Sequence, residues 1–108
     1  MLSSPDEGAS RLHHELEMTI REVNHELISA STGAITRGAV SDIARMVDSL
    51  RGSYLQCVLR LGEESLSGKV DTEAALQLKA LREAYTEAAE AFAALEHALQ
   101  RGYVSMAN

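Results

Sequence analysis

The chain has 108 residues, a formal charge of −6 and 45% hydrophobic residues, enough apolar content for one folded core and too much for a disordered segment. One proline and seven glycines leave little material for turn-rich β architecture. An acidic chain is a poor ligand for phosphate backbones, and no run of residues approaches a membrane span, so neither nucleic acid nor a bilayer is the expected partner.

Met1 to Ser10 is polar and acidic, without the basic and apolar regions of a secretory signal, so a cytoplasmic location is expected. Ser4-Pro5-Asp6-Glu7 reads as a helix start. Ser4 caps, Pro5 suits the first helical position, Asp6 favours the positive end of the dipole, and Glu7 completes a capping box. Leu12, Leu16, Ile20, Val23 and Leu27 then mark one face, and Gly33 is a natural stop. A first helix is predicted over residues 5–31. Here Asp6, Glu7, Glu15, Glu17, Glu22 and Glu26 stand against Arg11 and Arg21, a balance of −4.

In the second segment Val40, Ile43, Val47, Leu50, Tyr54, Cys57 and Leu61 recur at alternating steps of three and four. Residues so spaced share one narrow stripe, which packs against another helix. The helix is predicted over residues 36–66, with Gly38 and Ser41 as competing starts and Ser67-Gly68 as the end. Gly52 costs about 1 kcal/mol against alanine, so it is expected to mark a bend or a close helix contact. Beyond it the apolar face widens to Leu55, Val58 and Leu59. Residues 34–68 are neutral, with four acids and four bases.

Asp71 caps the third helix, with Val70 ahead of it and Glu73 in the first turn. Leu78, Leu81, Tyr85, Ala88, Phe92, Leu95 and Leu99 repeat the same alternation, and Gly102 ends a helix predicted over residues 72–101. Ala84, Ala91, Ala94 and Ala98 are expected in core packing. Glu83, Glu87 and Glu90 form an acidic row of the kind usually left to solvent. A short, partly apolar tail, residues 102–108, follows.

Short connections near residues 32–35 and 67–71 make successive helices antiparallel. The expected fold is all-α, one domain over residues 1–108, with three long helices in an antiparallel bundle. Met18, Ile28, Met46, Leu55, Leu59, Leu66, Leu76 and the Tyr103-Val104-Met106 tail exceed what three core stripes use. Contiguous apolar surplus marks interaction sites, so completion by homodimerisation is expected.

No constellation points to catalysis. His13 and Glu17 have the spacing of a two-ligand clamp, with His14 beside them, and Glu22-Val23-Asn24-His25 has the Glu-x-x-His form of di-iron bundles. Such sites need that motif twice plus two further inward glutamates. Cys57, the sole cysteine, cannot form an intrachain disulfide and falls within the core stripe, where a thiol is an inert small hydrophobe. His97 lies too near a helix end for a phosphotransfer site. Ile43-Ala44 and Val58 resemble a helix-turn-helix skeleton, but Asp48 stands where the turn needs glycine. No catalytic, cofactor-binding or metal-ligating residue is assigned, and no enzyme is expected.

The remaining reading is an interaction protein that lays a helical face against a partner. Ile28, Leu55, Leu59 and Leu66 are the candidate anchors, and Glu15, Glu22 and Glu26 would steer a basic partner. In length, acidity and helix-only pattern the whole chain resembles the small bacterial quorum-sensing antiactivators that bind LuxR-type transcription factors. That resemblance implies sequestration of a transcriptional activator by masking its oligomerisation surface, and it transfers no individual residue. A secretion chaperone or assembly adaptor is the alternative, and a metal-binding helical bundle using the histidine-bearing first helix is the second.

Overall fold

A computed structural model describes residues 5–107, Pro5 by its backbone. The Ser4 cap lies outside the described residues. Three helices account for most of the chain: α1 (Pro5–Thr32), α2 (Arg37–Leu66) and α3 (Thr72–Gln100). The fold is all-α, with no strand among the described residues, and the predicted helix limits fall within about a residue of these.

Local chemistry sets the helix ends. Gly33, Gly68 and Gly102 all have φ between 65° and 75°, a left-handed conformation that glycine adopts without penalty. After α2, Lys69 N–H donates to the Glu64 carbonyl (3.1 Å) and Gly68 N–H to Ser65 (3.2 Å). After α3, Tyr103 N–H donates to Ala98 (2.8 Å) and Gly102 N–H to Leu99 (3.2 Å). Both are Schellman closures that satisfy carbonyls a helix end leaves over. At the start of α3, Asp71 Oδ1 accepts the Ala74 N–H at 2.9 Å. Asp71→Ala is expected to cost about 1 kcal/mol, read as a lowered midpoint in urea denaturation, whereas Asp71→Asn should cost little.

The described residues group into two compact units, Gly38–Glu96 and the segments up to Arg37 and from His97 onward. The first of these is the α2·α3 pair. Every residue of the two alternating stripes is buried or half-buried, with Val47, Cys57 and Ala88 innermost. Arg51 Nε donates to Tyr85 Oη (3.1 Å) and Arg60 Nη2 to Gln77 Oε1 (2.9 Å), and this falling register makes the helices antiparallel. Tyr54 meets Tyr85 edge-on with ring centroids 6.2 Å apart, the arrangement ring quadrupoles favour. Ala84, Ala91 and Ala94 are exposed and Ala98 half-buried. They sit off the Leu78–Leu99 stripe, so the expected core role falls to Ala88.

The other unit joins α1 to the tail, and here two expectations are corrected. Val104, read as surplus, is 4% exposed, and Ile35, which no periodicity singled out, is buried with it. The cause is an isolated parallel bridge between Ile35 and Met106, in which Ile35 N–H donates to Ser105 (2.9 Å) and Ala107 N–H to Ile35 (2.7 Å). Val104 is therefore core, while Met106 stays exposed. The α1 stripe, read as core, is instead exposed, from 46% at Val23 to 63% at Leu27. The tail docks on the side of α1 bearing Arg21, His25 and Ser29. His25 Nδ1–H donates to the Gly102 carbonyl at 3.0 Å, Ser29 Oγ donates to the Tyr103 carbonyl at 3.4 Å, and Gly102 lies against Arg21. At 3.6 residues per turn that side is half a turn from the Leu12–Leu27 stripe.

Candidate interaction surfaces

A second face of α2 runs beside its core stripe. Leu55, Leu59 and Leu66 lie on it, exposed by 51%, 72% and 91%. Gly52 and Gly62 occupy the same face, so that Gly52, Leu55, Leu59, Gly62 and Leu66 follow steps of three, four, three and four. A methyl built on either glycine meets no atom within 4 Å. The close contact expected at Gly52 is therefore absent among the described residues, and α2 stays helical through it. The common register of both glycines with the leucines is legible in the spacing, yet hydrophobicity by itself singles out only the leucines. Gly52→Ala is expected to raise the stability of the free chain by about 1 kcal/mol, since helix propensity improves and nothing obstructs the methyl; urea denaturation measures it.

The other predicted interaction residues belong to the α1 unit. Glu15, Glu22 and Glu26 are exposed and share one flank of the apolar stripe. Ile28 falls towards the tail side and is half-buried, which makes it less available than the leucines. The structure thus gathers three leucines on one α2 face and three glutamates along one α1 flank, each set within its own unit.

The polar candidates find local employment. His13 Nε2 lies 3.2 Å from Glu17 Oε1, an i,i+4 pair on the helix surface. Those two residues, with Ile20, Arg21, Arg101 and Tyr103, line an open hollow. His25 is held by the Gly102 carbonyl, a role that depends on the tail and has no signature in the local sequence. Among the described residues no three His, Cys, Asp or Glu side chains converge as a metal site would require. Cys57 is 2% exposed, with Arg60 Nη2 at 3.7 Å from its sulfur. The Arg51 guanidinium is held above its usual pKa, chiefly by the hydrogen bond to Tyr85.

The electrostatics and chemistry therefore offer little, while the apolar surface offers much. No helix of the described residues is long and apolar enough to cross a membrane. Comparison with protein-family models, curated proteins and solved structures finds no match for this chain.

Proposed function

We propose that this chain is a non-enzymatic interaction module whose α2 face, Leu55, Leu59 and Leu66 between Gly52 and Gly62, seats on a helix of a partner protein. The exposure of those leucines beside a core that is complete without them supports the reading. Leucines separated by glycines form a relief of knobs and hollows into which a second helix settles closely, and a few central apolar anchors carry most of the affinity in such contacts. Glu15, Glu22 and Glu26 add an acidic flank that raises the encounter rate with a basic partner. Taken with the resemblance to quorum-sensing antiactivators, the partner is a LuxR-type transcription factor in a bacterial cytoplasm, held off its own oligomerisation surface.

Affinity capture with the full chain, followed by mass spectrometry, tests this. A transcription factor should be recovered by the parent and lost with Leu59→Asp. Recovery of a secreted or assembly substrate would move the assignment to a chaperone, and capture unaffected by Leu59→Asp would mean that the α2 face does not make the contact.

A further inference from the structure

We infer that the hollow between α1 and the residues after α3 binds a small organic carboxylate, held by Arg21 and Arg101. The site uses none of the residues assigned to the partner contact, so the two proposals stand or fall separately. No single side chain of the hollow is unusual, but the set is. Its walls belong to one compact unit: His13, Glu17, Ile20 and Arg21 from α1, and Arg101 and Tyr103 from the segment that follows α3, around about 230 Å³. The docked tail brings the two arginines to one place. The His25 ring donates to the Gly102 carbonyl at 3.0 Å, and a Cβ built on Gly102 would meet Arg21 Cδ at 3.7 Å.

Among the described residues neither guanidinium has a hydrogen-bond or ion-pair partner. Glu17 has the i,i+4 spacing that favours a pair with Arg21, but its Oε1 lies 3.2 Å from His13 Nε2 instead. At 3.6 residues per turn, Glu15, Glu22 and Glu26 fall on the far side of α1 from His13 and Glu17. Two cations that converge without an acid repel each other, and an anion between them reverses the sign of the interaction. Guanidinium forks match the planar oxygens of a carboxylate, and such charge-assisted hydrogen bonds are short and strong. Charge selects the class. Counting His13 as neutral, two arginines and Glu17 sum to +1, which one carboxylate balances, whereas a phosphate dianion would set surplus negative charge beside Glu17. Ile20 and the Tyr103 ring supply the apolar lining, against which a ring or short acyl body packs. The space is smaller than the usual site for a drug-sized ligand, so the ligand is of benzoate's size.

Titration of the full chain with benzoate, followed by NMR of backbone amides and arginine side chains, tests the inference. Saturable shifts should centre on Arg21, Arg101 and Tyr103, with a dissociation constant on the order of 1 mM, as expected for so few atoms. Acetate, which lacks the ring, and benzyl alcohol, which lacks the charge, should each bind at least about tenfold more weakly. Arg21→Gln and Arg101→Gln should each weaken benzoate at least about tenfold. Arg45→Gln, which removes an exposed arginine of the other unit, should leave it unchanged. Because the Arg21 stem packs on Gly102, Arg101→Gln is the deciding variant, with circular dichroism as the check on its fold. Shifts that never saturate would overturn the inference, as would parental affinity in Arg101→Gln or equal weakening by all three glutamine variants. Tighter binding of benzyl alcohol or inorganic phosphate than of benzoate would overturn it as well.

Discussion

Val47→Asp is expected to abolish the cooperative melting of the α2·α3 pair. Val47 lies among the innermost residues between the two helices and is 6% exposed. The substitution deletes a packed side chain and places a carboxylate in the apolar seam between the helices. Loss of the valine methyls alone costs about 2 kcal/mol, as Val47→Ala should show. Desolvating the introduced acid raises the total beyond about 4 kcal/mol, a large share of the roughly 5–15 kcal/mol that holds a domain together. Far-UV circular dichroism on heating reads the result. A melting temperature within a few degrees of the parent would mean that the paired stripes are not what stabilises this unit.

The same change at Leu55 or Leu59 should behave in the opposite way. Both side chains are more than half exposed, so aspartate there is already solvated, and folding stability should move by no more than about 0.5 kcal/mol. Partner binding should fall by about 30-fold or more for each substitution, which corresponds to the roughly 2 kcal/mol lost on truncating a central anchor. Circular dichroism and a binding titration on the same samples separate the two effects. If Leu59→Asp unfolds the chain, the leucines belong to a core and the α2 face is not a docking surface. The pairing of Val47→Asp with Leu59→Asp is informative because the two positions lie on one helix, twelve residues apart, and differ in what covers them.

The amino-acid pattern by itself determined the helices, their ends and the α2·α3 seam. Those features depend on local chemistry: a left-handed glycine at 33, 68 and 102, a carboxylate cap at Asp71, and two alternating stripes that match in length. Only the tertiary structure decided which apolar residues are covered. Ile35 and Val104 meet because the tail returns to the α1–α2 connection and bridges it through backbone hydrogen bonds, a non-local contact that leaves no periodic trace. The tail binds the side of α1 away from the Leu12–Leu27 stripe, whose residues are exposed. An amphipathic helix states in its spacing that one side must leave water, but not which surface will cover it, because many apolar surfaces satisfy the same hydrophobic demand.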